Sequence, residues 1–474
     1  MPLIGRTEEV REFLACLDSP EAEFVAVTGR RRVGKTYLVR NVFAGRITFF
    51  VTGLARAGMK DQLENFGTAL REQGGDDEGM PSSWMEAFRR LRTFLEGQRV
   101  PGKRIVFIDE MPWLDTPKSR FRTALEWFWN GWASAQPDVL LIVCGSATSW
   151  IVSKLFRDTG GLHNRVTRRI HLQPFTLAEC VAFYAERGIV MSTTEILEAY
   201  MILGGIPFYL SRLDKSRSLA QNISRLCFRE GGMLRTEFDD LYASLFARPE
   251  QHVRIVRALA SRRCGLSRED IAAMTGISLG GGITRTLREL EQSGFIRSYQ
   301  PFGRKARGTL YQLMDPYTLF YLTFIETEPA DPDFWSKYAA TSAHSAWAGN
   351  AFERVCLAHV PQIKAKLGIA GVIVAAHSWR SGTSDPGAQV DLVLDRRDGV
   401  VNLCEMKYAR GAYAITKAAD AAMRAKVSAF RAETRTRKAV HVTYVTTFGL
   451  TRNQYSGDIQ SEVIAADLFR EVAI

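Results

Sequence analysis

At 474 residues the chain exceeds what one hydrophobic core organises, and about three domains are expected at ~150 residues each. Its 46% hydrophobic, 24% charged and 11% aromatic content excludes a mainly disordered or fibrous chain, and 62 Lys+Arg against 51 Asp+Glu leave a net charge of +11, a mild attraction toward polyanions. Seven cysteines without a CxxC pair exclude a zinc ribbon or dense disulfides; with no apolar run near ~18 residues and no basic-then-apolar start, the expected setting is a reducing cytoplasm away from membranes.

In chain order, residues 24–28 form a short apolar, β-branched run, the pattern of a buried strand. Gly29, four further residues, then Gly34, Lys35 and Thr36 follow at once, and a helical pattern opens at Tyr37. Glycines at that spacing let the backbone curl so that its N–H groups face phosphate oxygens, and the helix adds its positive end. Lys35 is expected to reach the β- and γ-phosphates of ATP and the Thr36 hydroxyl to help hold Mg²⁺. Arg30, Arg31 and Arg32 occupy variable loop positions, whose side chains usually turn away from the nucleotide.

Further strands are expected at 47–51, 104–108, 139–143 and 169–172, with helical stretches between them, giving an α/β layer with a mostly parallel sheet. The 104–108 strand runs into Asp109 and Glu110. Downstream of a P-loop, Asp109 would orient the magnesium shell and Glu110 would polarise the attacking water. The 139–143 strand leads to Ser146 and Thr148, where a small hydroxyl would sense the γ-phosphate. Of Arg165, Arg168 and Arg169, Arg165 is the first choice for offsetting transition-state charge, in cis or across the boundary of a homo-oligomer.

Residues 176–246 read as helical with a break at 203–207. A capped short helix at 266–276 and a second helix at 278–294 follow. The second turns Ile283, Leu287 and Leu290 inward and Thr284, Arg285 and Arg288 outward. Residues 295–313 then read as a hairpin wing with a basic tip at 303–307. This winged helix suits DNA phosphate and groove contact, and equally a protein-packing module. Tyr317, Phe320, Tyr321 and Phe324 are expected in the core. A Pro- and acid-rich break at 326–333 precedes the last segment.

There, residues 390–395 and 400–407 read as a hairpin. A two-residue loop would oppose Asp391 to Met406 and mix polar with apolar faces. A three-residue loop ending in left-handed Gly399 opposes Asp391 to Glu405, with Lys407 two residues on and Val390, Leu392, Leu394, Cys404 and Met406 on the buried face. The second register is the better one. Facing carboxylates repel in a plain hairpin, so a divalent cation, Mg²⁺ or alternatively Mn²⁺, is expected between Asp391 and Glu405. Lys407 would position a water or stabilise the transition state, and Glu353 on a preceding helix supplies an extra acid. Tyr408, Lys417 and Lys426 are candidates for phosphate contact.

Taken in order, Ile4-Gly5-Arg6 with Glu8 and Glu9, the P-loop, Ile108-Asp109-Glu110, Cys144-Gly145-Ser146, Asn164-Arg165 and Gly205-Ile206-Pro207 resemble archaeal and bacterial ATPases related to the STAND class of the AAA+ superfamily. The resemblance covers nearly the whole chain, since one branch carries a winged helix and a C-terminal restriction-endonuclease-like domain; the Glu…Asp…Glu-x-Lys series resembles the PD-(D/E)xK signature. It implies nucleotide contacts near Gly5 and Arg6, and a Gly-x-Pro segment coupling nucleotide state to a lid. The candidate nucleotide set is thus Gly5, Arg6, Gly29, Val33, Gly34, Lys35, Thr36, Tyr37, Asp109, Ser146 and Pro207. The expected fold is a P-loop core (1–174), a helical lid (175–247), a winged helix (248–327) and an α/β nuclease-like domain (328–474). The expected function is an ATP-hydrolysing switch coupled to metal-dependent DNA processing, with defence against foreign DNA as one setting. The alternative is a nucleotide-dependent DNA-binding or signalling switch whose last domain only binds.

Overall fold

The computed structural model describes residues 3–472 apart from 76–77, 147, 157–159, 247, 304–307, 328, 330, 339–340 and 383–387. It divides into two compact units, Met1–Pro174 and Phe175–Ile474. Among the described residues no helix is long and apolar enough to cross a membrane.

The first unit is an α/β layer built from α1 (Thr7–Asp18), β1 (Glu23–Gly29), α2 (Lys35–Val42), β2 (Ile47–Thr52), α3 (Met59–Glu72), α4 (Trp84–Gly97), β3 (Arg104–Asp109), α5 (Phe121–Gly131), β4 (Val139–Cys144), the short α6 (Thr148–Ile151) and β5 (Arg168–Leu172). The sheet is parallel throughout, in the order β2-β3-β4-β1-β5. Every residue of β1, β3 and β4 is buried, which is why these strands read as unbroken apolar runs rather than alternating ones. Aromatic side chains of α3, α4 and α5, including Phe66, Trp84, Phe88 and Phe128, pack against the sheet. This order inserts β4 between the strand that opens into the P-loop and the strand that ends in Asp109, so three strand ends converge where phosphate would lie.

The second unit begins with helices: α7 (Leu177–Glu186), α8 (Thr193–Leu203), α9 (Pro207–Leu210), α10 (Leu219–Ile223) and α11 (Glu237–Leu245). Capping boxes at Thr176/Glu179 and Ser192/Glu195 start α7 and α8. The expected break at 203–207 has a steric cause. A Cβ on Gly205 would stand 1.9 Å from Phe175 O, and Phe175 N donates to Gly205 O at 2.6 Å. Pro207 then opens α9 at a position where no N–H is needed.

Next come α12 (Pro249–Ala260), β6 (Leu266–Ser267), α13 (Arg268–Thr275), α14 (Gly281–Gln292), β7 (Ile296–Tyr299) and β8 (Leu310–Leu313), with a small antiparallel sheet ordered β6-β8-β7. Ser267 caps α13 through Asp270, and Gly276 ends it in the left-handed conformation. Ile283, Leu287 and Leu290 are buried, while Arg285 and Arg288 are exposed. Residues 304–307 of the expected basic tip at 303–307 lie outside the described residues.

The remainder comprises α15 (Pro316–Phe320), α16 (Phe334–Tyr338), α17 (Ser342–Ala358), α18 (Val360–Lys366), β9 (Val374–Arg380), β10 (Gln389–Arg396), β11 (Val400–Lys407), β12 (Tyr413–Ala414), α19 (Lys417–Thr434), β13 (Ala439–Thr446), β14 (Leu450–Thr451) and β15 (Ser461–Ile464). Tyr317, Phe320 and Phe324 are buried, and Tyr321 stacks on Phe238. The main sheet is mixed, in the order β15-β13-β11-β10-β9: β10 runs antiparallel to both neighbours, and β11, β13 and β15 are parallel. The hairpin has the three-residue-loop register, with Leu392 opposite Cys404 and Asp395 opposite Val401, and Gly399 has φ +88°.

One expectation is corrected here. Val390 does not share the face of Leu392 and Leu394: the β10–β9 register shifts between Val390 and Val393, and Val390 joins the core on the α19 side. Val393, Val401 and Leu403 on that side are fully buried in a core with Met423 and Phe430 of α19. A second finding concerns the hairpin β7–β8, which is built into the C-terminal layer. Phe302 N donates to Ser378 O at 2.7 Å, Pro301 bridges Ser378, and the rings of Phe302 and Phe430 are 5.0 Å apart. Buried Arg354 of α17 donates from Nε to Leu313 O at 3.0 Å.

Candidate functional site

The P-loop turn is fixed from both sides. Gly29 has φ +140°, and a Cβ there would lie 2.4 Å from Leu172 O on β5, so only glycine fits. Its N–H donates to Thr148 Oγ1 at 3.3 Å. Gly34 caps α2 in the left-handed conformation. Arg6, also left-handed and buried, caps α1; its Nη2 donates to Val33 O at 3.4 Å, tying the segment at Gly5–Arg6 to the loop. Arg30 is buried rather than turned out to solvent. Tyr37 stays 39% exposed at the first turn of α2.

Lys35, 5% exposed, points back along its own loop, donating to Gly29 O at 2.9 Å and Arg30 O at 3.0 Å and approaching Ser146 Oγ at 3.4 Å. Burial pushes its pKa below the usual lysine value, against the pull of Cys144, Glu110 and Asp109. Such a lysine lacks a full counter-charge. Phosphate oxygens would replace two contacts to neutral carbonyls with ion-paired hydrogen bonds.

Two hydrogen-bonded strings converge there. Thr36 Oγ1 donates to Asp109 Oδ2 at 2.8 Å, while Cys144 Sγ–H and the Glu110 N–H (3.0 Å) donate to Oδ1. Burial raises the Asp109 pKa, opposed by the Cys144 and Thr36 hydrogen bonds. Glu110 sits in a left-handed conformation (φ 46°), and its carboxylate accepts from Ser146 Oγ at 2.5 Å and Ser146 N at 3.0 Å. Glu110, Ser146 and Lys35 thus satisfy one another. Thr36 and Asp109 are adjacent oxygen donors whose chemistry fits Mg²⁺. Thr148 is 2% exposed and bonds Gly29, so it braces the loop.

Arg165 is exposed at the turn before β5. Arg168 pairs with Glu12 at 2.9 Å and Arg169 lies over the Phe156 ring at 4.3 Å, which gives both a local packing role. Pro207 belongs to the second unit.

Residues 3–213 match the model of a family described as an ATPase domain predominantly from Archaea. The N-terminal unit is a P-loop ATPase domain. The match continues past that unit through α7 to α9. The chain is 25% identical over 328 residues to an uncharacterized protein of Methanocaldococcus jannaschii, covering 68% of each. Among solved structures it is similar to a Walker-type ATPase of Pyrococcus abyssi (19% identity, 68% of this chain and 96% of that chain, TM-score 0.49). It is also similar to the Aeropyrum pernix ORC2 protein, solved with ADPNP and ADP (14%, 71% and 96%, TM-score 0.43), and to Thermotoga maritima RuvB (14%, 65% and 92%, TM-score 0.35).

The C-terminal cluster gathers residues of β10 and β11 with Glu353 of α17 and Lys426 of α19. Glu405 accepts from Lys407 Nζ at 2.9 Å on one oxygen and from Lys426 Nζ of α19 at 2.7 Å on the other. Burial works to raise its pKa, but the two ammonium groups override this and hold it below the usual value. Asp391, bonded to Gln389, is raised by burial and by the charge of Glu405. Glu353 is raised to about 7 by burial and by Asp391, against Arg354 and Arg297. Its Oε1 is buried without a hydrogen-bond partner. Arg297 comes from β7, donating to Gln312 Oε1 at 2.9 Å with its guanidinium 4.7 Å from the Tyr299 ring centre.

The four expected residues Glu353, Asp391, Glu405 and Lys407 therefore share one region. Among the described residues, however, no group of three or more His, Cys, Asp or Glu is gathered tightly enough to hold a metal. Lys426, a candidate for phosphate contact, is instead the second partner of Glu405. Tyr408 is half-buried with its ring 6.1 Å from Phe352, and Lys417 is exposed at the start of α19. Sequence reasoning missed Arg297 and the Lys426 bond, which arise from distant elements, and Arg354, which follows Glu353 on α17.

Proposed function

We propose that the chain is an ATP-driven switch whose second unit binds DNA and cleaves its phosphodiester backbone with a divalent cation. The observation that carries it is the union of Asp391, Glu405, Lys407 and Glu353 at one edge of the hairpin, on the same chain as a complete nucleotide cradle.

On this reading, ATP binds at Gly29, Val33, Gly34, Lys35, Thr36 and Tyr37, with Gly5 and Arg6 flanking the loop. Its γ-phosphate takes Lys35 and the Ser146 hydroxyl. Glu110, no longer held by Ser146 and repelled by the phosphate, turns to accept a proton from water. Thr36 and Asp109 would hold Mg²⁺, which supplies charge neutralisation between the phosphates. Arg165 offsets developing charge from a neighbouring copy, and Pro207 stiffens the joint through which the lid responds.

The unpartnered Glu353 oxygen beside Asp391 fits a cation. Asp391 and Glu405 would hold Mg²⁺ or Mn²⁺, which supplies a water of lowered pKa. Lys407 would then stabilise charge on the scissile phosphate. Helices α12 to α14 and the small sheet β6-β8-β7 within 248–327 correspond in this reading to a winged helix with Arg285 and Arg288 toward DNA phosphates.

One observation favours a second reading, a nucleotide-dependent DNA-binding or signalling switch. Both oxygens of Glu405 already carry an ammonium partner, so the cluster is largely neutralised without metal. Incubating the full chain with duplex and single-stranded DNA, with Mg²⁺ or Mn²⁺ and with or without ATP, separates the two. Cleavage that disappears in Asp391→Ala and Lys407→Ala supports the nuclease. Binding without cleavage under every condition selects the switch.

A further inference from the structure

Cys144 ends β4 at the centre of the converging strand ends. It pairs with Val27 of β1, the strand that opens into the P-loop. On its other side the β3–β4 register runs up to Ile108 opposite Val143, so Asp109 and Cys144 emerge side by side, with their side chains on one face. The Cys144 thiol is fully buried and donates to Asp109 Oδ1, which also accepts the Glu110 N–H at 3.0 Å. The other oxygen, Oδ2, accepts from Thr36 Oγ1 at 2.8 Å.

We infer that Cys144 is a positioning residue for the magnesium–nucleotide complex: by occupying Oδ1 it fixes which Asp109 oxygen faces Thr36 and the cation. The inference rests on the ATPase reading of this site. An aspartate carboxylate turns about a broad, roughly two-fold torsion, so nothing intrinsic to Asp109 selects one oxygen or one angle of the carboxylate plane. The Glu110 N–H is a single donor on a residue whose own backbone is left-handed. A second donor from the neighbouring strand removes that freedom. The group at this position must therefore be small enough for a filled strand end and must carry a donor hydrogen, two conditions that a thiol or hydroxyl meets and an alkyl group does not.

The test is a fluorescent-ATP titration of the full chain, in EDTA and across a series of Mg²⁺ concentrations, for the wild type and for Cys144→Val, Cys144→Ala and Cys144→Ser. Thermal unfolding of each variant reports folding. In EDTA all four should bind alike. With Mg²⁺, the wild type and the serine variant should share one midpoint, and the valine and alanine variants should need about tenfold more cation, the worth of one charge-assisted hydrogen bond. Should valine prevent folding, alanine removes the same donor without adding a methyl group. A purely structural role would lower thermal stability while leaving the midpoint in place, and that result, or a serine variant displaced as far as valine, overturns the inference. A wild type whose affinity ignores Mg²⁺ would fail earlier, taking the ATPase reading with it.

Discussion

The two candidate centres use charged groups in opposite ways. In the first unit, Lys35, Ser146, Glu110, Thr36, Asp109 and Cys144 arrive on loops and strand ends of a parallel sheet and bond one another across a space that phosphate would enter. In the C-terminal sheet, Asp391, Glu405 and Lys407 belong to the strands of one hairpin, and Lys426 of α19 reaches Glu405. The first centre holds its cation, Lys35, on neutral carbonyls, which makes an incoming anion favourable. The second matches each Glu405 oxygen with an ammonium, so an incoming cation must displace one. A parallel sheet gathers function at its strand ends, while a hairpin gathers it in the middle of a layer and must cover it.

The largest effect should come from Lys35→Ala. Losing the one buried ammonium of the cradle should lower ATP turnover by at least about a hundredfold, with nucleotide binding measured beside it. Turnover equal to wild type would erase the difference between the centres. Next, Arg354→Ala should destabilise the second unit by about 3 kcal/mol in urea unfolding, because it strands Glu353 and frees Leu313 O at the junction with the hairpin. By contrast, removing an exposed pair such as Arg168–Glu12 should change stability by less than about 1 kcal/mol.

Much of the first centre was legible in the sequence because its parts are local. A glycine turn, a lysine and a strand ending in two acids keep their meaning wherever the strands lie. What stayed hidden depended on strand order. Cys144 touches Asp109 only because β4 lies next to β3, and Thr148 braces Gly29 only because β4 also lies next to β1. In the C-terminal hairpin the register was legible from Gly399 and the placing of charges. Burial of both faces was not drawn from it, although β10 and β11 each read as nearly continuous apolar runs, a signal of layers on both sides. Lys426 and Arg297 reach the cluster from α19 and β7, and no spacing along the chain encodes that meeting.

Glu353 offers a sharper probe of the covered centre. Its pKa is raised to about 7, above the ordinary value of 4.5, so the folded chain binds the proton more tightly than the unfolded one. Its favourable contribution is complete below pH 4.5 and is lost as the pH rises through about 7. In EDTA, the wild type should therefore lose up to about 3 kcal/mol relative to Glu353→Gln between those limits, and the glutamine variant should be the more stable above pH 7. Parallel pH profiles would show that Glu353 is already charged and matched.

Within the nucleotide site the smallest effect is expected at Thr148, where the two regions differ in how their scaffolds are held. The Thr148 hydroxyl accepts from Gly29 N at 3.3 Å and donates to Gly29 O at 3.4 Å, long bonds that restrain the turn rather than charge it. Gly29 O is also a partner of Lys35. Thr148→Val keeps the volume and removes both bonds, so it should weaken ATP binding about fivefold, near 1 kcal/mol, with the Mg²⁺ midpoint unchanged. A shifted midpoint would mean that Thr148 acts on the cation rather than the loop. The braced turn and the fixed carboxylate would then be one network instead of two.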